Sequence, residues 1–219
     1  MSKTKNGTLH FPEPFQANYI PHILKEMYID GVYASYLNGR RDLTVLDLGA
    51  NIGIFSMYVK DYAKKIIAVE PAEENFNCLL LNAESFNFKE KSTLIKAAIG
   101  NKEGKLNLYH SPNKTAHTLL GGGDNFEEVE IKTIAQVLKE TKTDKVDLMK
   151  IDIEGSEFDV LCGDSFIEAA PKIQHIFGEL HSWAGRNYSQ VGWALRSLGY
   201  RFSMLHKTEA SVFVAWREE

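Results

Sequence analysis

Between Val45 and Pro71 the chain runs VLDLGANIGIFSMYVKDYAKKIIAVEP: an apolar run, a glycine-containing turn, an amphipathic pattern, and a second apolar run ending on one acid, Glu70. The runs TVLDL and KIIAVE have the length of buried strands, and the apolar spacing from Ile54 to Tyr62 is helical. The segment therefore predicts a β-α-β unit. In an open α/β sheet, ligands bind beyond the carboxyl ends of the strands, where a strand turns into its helix. Asp47, Gly49, Asn51 and Gly53 occupy that turn. Gly49 and Gly53 allow close backbone approach or positive φ, which a Cβ would hinder. Glu70, at the end of the second strand, is placed to accept hydrogen bonds from both hydroxyls of a ribose. A nucleoside derivative is the ligand that these features call for. A dinucleotide fits poorly. Its G-x-G-x-x-G fingerprint is out of register with Gly49-Ala50-Asn51-Ile52-Gly53-Ile54, and Asp47 would repel a pyrophosphate while accepting hydrogen bonds from an ammonium.

Outward from this unit the alternation continues. Helix Glu73 to Phe86 leads to strand STLIKAAIG, helix IAQVLKET, strand VDLMKID, helix SEFDVL, strand KIQHIFGEL and a helix from Gln190 to Leu198. Such alternation predicts a parallel sheet covered by helices on both faces. The ending differs: YRFSML and SVFVAW, separated by the polar HKTEA, read as a hairpin. The expected fold class is α/β, a doubly wound, mainly parallel seven-stranded sheet closed by a C-terminal antiparallel hairpin. It resembles the Rossmann-like architecture of class I S-adenosylmethionine-dependent methyltransferases over residues 43–217. HILKEMYIDGVYASYL has apolar residues at helical spacing, so residues 1–40 are expected to form an N-terminal helical segment packed on the core. With 219 residues, 44% of them hydrophobic, one domain spanning 1–219 is expected. The stretch from His110 to Asn125, HSPNKTAHTLLGGGDN, lacks a periodic pattern and is expected to be a mobile loop that closes over the acceptor.

A net charge of −4 and a pI near 6.0 give no positive field for a phosphate backbone, so no nucleic-acid partner is expected. The N-terminal residues lack the apolar core of a signal peptide, and no apolar run approaches the ~20 residues of a membrane span. A cytoplasmic protein without a membrane span is expected. Cys78 and Cys162 have no C-x-x-C spacing and read as buried small apolar residues. The oligomeric state is not legible in the sequence.

A second motif, LMKIDIEGSEFDVL from Leu148 to Leu161, follows VLDLGANIG in the order seen in the FkbM family of methyltransferases, which this chain resembles; EPAEENFNCLLLN and KAAIG between them fit the same pattern. The resemblance implies S-adenosylmethionine as methyl donor, S-adenosylhomocysteine as product, and a hydroxyl of a small molecule or saccharide as acceptor. It implies that Asp47, Gly49, Asn51 and Gly53 line the methionine end of the donor. Glu70 would then hold the ribose, and Asn75 and Ala98 would surround the adenine. Asp152 and Glu154 would face the methyl group and acceptor, with Asp152 alternatively capping the next helix. Glu157 and Asp159 read as solvent-facing acids in that helix's first turn.

Methyl transfer from a sulfonium is an in-line displacement in which positioning supplies much of the acceleration. An alcohol is a weak nucleophile, and a base beside it helps. His181, in GELHSW after the fifth strand, is the candidate base, with Glu179 beside it to orient the ring; Glu154 is the next candidate. Asp152, Glu154, Glu179 and His181 have the chemistry to converge on Mg²⁺, but the family resemblance implies no metal. Trp183 reads as a pocket wall, Trp193 as core or as a face that stacks on the acceptor, Arg186 as a surface residue or a partner for an acidic acceptor, and His110, His117 and His206 as solvated loop residues. Two other functions are compatible with the fold. A nucleic-acid or protein methyltransferase is one, although DIEG stands where adenine-amino methylating enzymes carry D/N-P-P-Y/F/W. A catalytically silent nucleoside-binding module is the other.

Overall fold

A computed structural model describes residues 2–4, 7–12, 33–110, 117–120, 122, 124–181, 187–205 and 210–218. Its main sheet has seven strands. They are β3 (Leu43–Leu48), β4 (Ala63–Val69), β5 (Ser92–Ile95), β9 (Val146–Ile151), β10 (Ile173–His181), β11 (Arg201–Met204) and β12 (Ala210–Trp216), in the spatial order β11-β12-β10-β9-β3-β4-β5. The pairs from β10 to β5 are parallel. β12 runs antiparallel to both β10 and β11, which is the predicted closing hairpin. Strand order reverses at β3, whose neighbours are β4 on one side and β9 on the other. The gap beyond their carboxyl ends is where such a sheet takes its ligand.

Successive side chains of a strand point to opposite faces, and the strands show it. Val45, Ile66, Ala68, Leu148 and Phe177 enter one core, against α1 (Ala34–Leu37), α2 (Ile54–Val59) and α3 (Glu73–Ser85). Leu46, Leu48, Ile67, Val69, Met149, Ile151 and Ile176 enter the other, against α4 (Ile134–Glu140), α5 (Glu157–Leu161), α6 (Asp164–Ala169) and α7 (Tyr188–Ser197). Every position of β3 is buried, as an apolar central strand covered on both faces requires.

Four expectations are revised. The run from Ser92 to Gly100 is two strands: β5 ends at Ile95, and β6 (Ala98–Ile99) leaves to join β8 (Phe126–Lys132) and β7 (Gly104–Tyr109) in a second, three-stranded sheet. Leu108, Val129 and Ile131 of that sheet close a small core with Ala72 and Ala98, while its other face carries Glu128, Glu130 and Lys132. The stretch from His110 to Asn125 is therefore the tip of the β7-β8 hairpin. Tyr109 and Thr118 pair in a bridge across it, and residues 111–116, 121 and 123 lie outside the described residues. At the N-terminus, β1 (Ser2–Thr4) and β2 (Gly7–Leu9) form an antiparallel ribbon where helix was expected; of the expected helix only α1 is described, residues 13–32 lying outside. The buried Asn82 of α3 ties on the segment that follows the ribbon: its Oδ1 accepts from the His10 N–H at 2.7 Å, and its Nδ2 donates to the His10 and Ile52 carbonyls at 2.9 and 2.8 Å. Cys162 is exposed, whereas Cys78 is buried. Among the described residues no helix is long and apolar enough to cross a membrane.

Candidate active site

The β3-α2 turn is shaped by three positive-φ residues, Gly49 (φ 73°), Asn51 (φ 52°) and Gly53 (φ 88°). A Cβ on Gly49 would collide with the Asp152 carbonyl oxygen, and one on Gly53 with the Leu79 side chain, so both glycines are required by close approach as well as by φ. Glu70 closes the turn from β4. Its Oε2 accepts from the Asn51 N–H at 2.8 Å and its Oε1 from the Ala72 N–H at 3.0 Å. Burial pushes the Glu70 carboxyl up to about 7, against the pull of those two N–H groups, Lys150 and Asn75. Asn75 is buried beside it with its Oδ1 lacking a hydrogen-bond partner, and Ala98 is buried in the small core.

Asp47 does not reach the turn's surface. It is paired in register with Lys150 of β9, and both side chains lie on the same face of the sheet. Asp47 is fully buried; its Oδ2 accepts from Ser56 Oγ at 2.6 Å, and its Oδ1, without a hydrogen bond, faces Lys150 Nζ at 3.9 Å. Burial raises its pKa, and Lys150 and the Ser56 hydroxyl oppose that. The Lys150 ammonium donates to the Gly49 carbonyl at 2.8 Å and lies 3.3 Å from Asp152 Oδ2, so one buried cation ties the two motif turns together. Burial alone would lower the pKa of Lys150, but the charges of Asp152 and Asp47 outweigh it and raise the pKa. Tyr33 packs against Phe55 and Phe177 on the same face, and burial keeps its hydroxyl neutral.

The second cluster forms where β9 turns into α5. Glu154 (φ 55°) and Gly155 (φ 105°) make that turn, and the Glu154 carbonyl accepts from Thr118 Oγ1 at 2.8 Å, docking the β7-β8 hairpin on it. Glu157, expected to face solvent, is fully buried. Its carboxylate accepts from the Ile153 N–H at 2.9 Å, the Gly155 N–H at 3.0 Å and faces His181 Nδ1 at 3.1 Å. On the other side of the ring, His181 Nε2 lies 3.3 Å from Glu154 Oε2. Burial works to lower the His181 pKa, but the hydrogen bond with Glu157 and the charges of Glu157, Asp152 and Glu154 raise it to about 9. Burial and the Asp152 charge push Glu154 up, so the imidazole and Glu154 compete for a proton. Asp152, Glu157 and His181 each offer a ligand atom within 4.8 Å of the others, a spacing that a cation can bridge, although Glu157 already holds two backbone N–H groups and faces the ring.

The sequence thus pointed to Gly49, Asn51, Gly53, Glu70, Asn75, Asp152, Glu154 and His181, and the structure gathers them along the carboxyl ends of β3, β4, β9 and β10. Lys150 and Glu157 escaped it. Lys150 stands in an apolar strand run, the one signal that it must be paired, and the only cue to Glu157 was its place three residues after Glu154. Trp193 is 75% exposed, not core, and His117 is buried rather than solvated. Trp183, Arg186 and His206 lie outside the described residues.

A parallel sheet with a reversed strand order, a glycine turn with an acid on the adjoining strand end, and a closing antiparallel hairpin define a Rossmann-like class I methyltransferase. The chain belongs to the FkbM methyltransferase family: residues 47–202 match the Methyltransferase FkbM domain. The family's reaction is S-adenosylmethionine-dependent methyl transfer. Among its relatives, Methyltransferase sdnD of Sordaria araneosa is 29% identical over 176 residues, 64% of this chain and 67% of that protein. The AMB antimetabolite synthetase AmbE of Pseudomonas aeruginosa is 26% identical over 207 residues, which are 75% of this chain but 10% of that longer protein. Among solved structures, the methyltransferase FkbM of Methylobacillus flagellatus aligns with a TM-score of 0.53 at 18% identity, covering 80% of this chain and 43% of that one. The magnesium protoporphyrin IX methyltransferase of Synechocystis, solved with bound SAM, gives 0.54 at 12% identity, covering 93% and 86%. These two likenesses concern the fold.

Proposed function

We propose that the protein methylates a hydroxyl of a small molecule or saccharide, with His181 as the base. The observation that carries this reading is the buried imidazole at the carboxyl end of β10, set between two carboxylates of the neighbouring β9-α5 connection. The match to a segment of an antimetabolite synthetase supports a small-molecule acceptor.

The donor site fits the donor. Glu70 ends the strand beside the glycine turn, the unpartnered Asn75 Oδ1 offers an acceptor next to it, and Gly49, lacking a Cβ, lets the Asp152 carbonyl close up on that turn. In this reading Gly49, Asn51 and Gly53 line the methionine end, Glu70 binds the ribose diol, and Asn75 and Ala98 border the adenine. Asp47 acts from behind, through Lys150 and Ser56, rather than by touching the donor. S-adenosylmethionine supplies a methyl group activated on a positively charged sulfur. Asp152 and Glu154 line the acceptor side and hold the hydroxyl in line, where orientation contributes up to ~7–11 kcal/mol in favourable cases. His181 Nε2 takes the hydroxyl proton as the oxygen bonds the methyl carbon, and the carbon–sulfur electron pair stays with sulfur.

Incubation with methyl-labelled S-adenosylmethionine and a panel of alcohols, amino alcohols and saccharides tests this, with mass spectrometry locating the label. A methyl ether is the expected product. Label on nitrogen or carbon refutes the hydroxyl assignment, and donor binding without transfer to any acceptor class, cell extract included, identifies a silent binding module.

A further inference from the structure

We infer that Glu157 is the positioning residue of the site: it fixes the hydrogen on Nδ1 of His181 and so leaves the lone pair of the neutral ring on Nε2, which takes the acceptor's proton. The inference rests on His181 acting as base, and it adds a residue that neither the motif reading nor the family match assigns.

The geometry leaves Glu157 little freedom. Its carboxylate is fully buried and pinned by the backbone of the turn, with the Ile153 N–H on Oε1 at 2.9 Å and the Gly155 N–H on Oε2 at 3.0 Å. A carboxylate in this state only accepts, so the ring nitrogen 3.1 Å away must donate. Nδ1 therefore carries a hydrogen whether the ring is neutral or charged, and in the neutral ring the lone pair is on Nε2. Nε2 points the other way, 3.3 Å from Glu154 Oε2. The titratable groups facing the ring are Glu157 from α5, Glu154 and Asp152 from the turn before it, with Glu179 on β10 near Glu154. None of them but Glu157 is aimed at Nδ1 by backbone hydrogen bonds. During transfer the proton leaves the acceptor oxygen for Nε2, the new bond joins that oxygen to the methyl carbon, the sulfur keeps the electron pair, and Glu157 stabilises the imidazolium without taking a proton itself.

Glu157→Gln tests this. Oε1 takes both the Ile153 N–H and the ring, so an amide with its oxygen there sets its NH₂ against the Gly155 N–H, and one with its NH₂ there meets the Ile153 N–H and forces Nδ1 to accept; either way the fixed ring and the negative charge opposite the imidazolium are lost. Single-turnover methylation should slow by about 10²–10⁴-fold while S-adenosylhomocysteine affinity stays within about 2-fold. In parallel, ¹⁵N spectra of the wild-type ring above its pKa should show Nδ1 protonated and Nε2 bare, a readout that a merely structural glutamate would not set. Wild-type rates in a folded Gln variant overturn the inference. So does a neutral wild-type ring carrying its hydrogen on Nε2, which decides the matter even if the variant fails to fold. Loss of activity in EDTA with recovery on Mg²⁺ or Mn²⁺ also overturns it, and gives Asp152, Glu157 and His181 to a metal. Full activity of His181→Ala would instead refute the base reading itself, and the nitrogen spectra keep the two failures apart.

Discussion

Replacing Lys150 by Met should destabilise the fold by ~3–5 kcal/mol near pH 8, the usual loss when one partner of a buried ion pair is removed. The structure sets that figure. Lys150 Nζ stands 3.9 Å from the fully buried Asp47 Oδ1, and at an effective dielectric of ~20 that attraction alone is about 4 kcal/mol. Met fills much of the same volume but leaves Asp47 with the Ser56 hydroxyl as its hydrogen-bond donor, and the Gly49 carbonyl loses its 2.8 Å donor. Asp152, more exposed, contributes less. The pH dependence follows from the direction of the Asp47 shift. Its folded pKa is already above the unfolded value because of burial, and without Lys150 it rises further. Between the two values the folded state binds more protons than the unfolded one, so stability falls as pH rises through that window. The penalty should therefore shrink as the pH falls and Asp47 can take up a proton. Urea unfolding at pH 5 and pH 8 measures it, with an unchanged slope certifying a stability effect. Asp47→Asn in the Lys150→Met background should recover part of the loss, with a coupling above ~1 kcal/mol. A loss under about 1 kcal/mol that does not vary with pH would refute the buried-pair argument.

Gly49→Ala should lower stability and donor affinity together, because the added Cβ meets the Asp152 carbonyl at a φ of 73°; unchanged unfolding midpoints and calorimetry would show that the turn can relax. Glu70→Ala should weaken S-adenosylhomocysteine binding by ~1.5–3 kcal/mol, the range for hydrogen bonds to a charged group. Since burial holds the Glu70 carboxyl up to about 7, wild-type affinity should also drop as pH falls through neutrality, and the mutant should lose that dependence. His181→Ala should slow single-turnover methylation by ~10²–10⁴-fold. The wild-type rate should climb with pH as the imidazole, held charged up to about 9 by its acidic neighbours, is emptied; a flat profile in the wild type would argue against His181 as base.

The sequence by itself determined the Rossmann-like core and the turn that brings Gly49, Gly53 and Glu70 together. Period-2 and period-3.6 patterns are local, and so are the glycines of a turn that needs positive φ, which is why β3, α2 and β4 and the places of Gly49, Gly53 and Glu70 could be read from one stretch of 27 residues. The closing hairpin was legible for the same reason. The second sheet was not, because β7 and β8 are polar on one face and gain their strand character from pairing with each other and with β6. Trp193 fits an apolar helical spacing, yet the face it shares points to solvent in the folded chain. Tertiary structure alone decided what each acid does. Asp47 and Lys150 are 103 residues apart along the chain, and only the β3-β9 register makes them a pair. Glu157 and His181, 24 residues apart, meet because α5 packs on the end of β10, and burial then turns an ordinary first-turn glutamate into the partner of one ring nitrogen. A side chain's charge state and hydrogen-bond direction depend on its solvation and on groups distant in sequence, and neither quantity exists until the chain has folded.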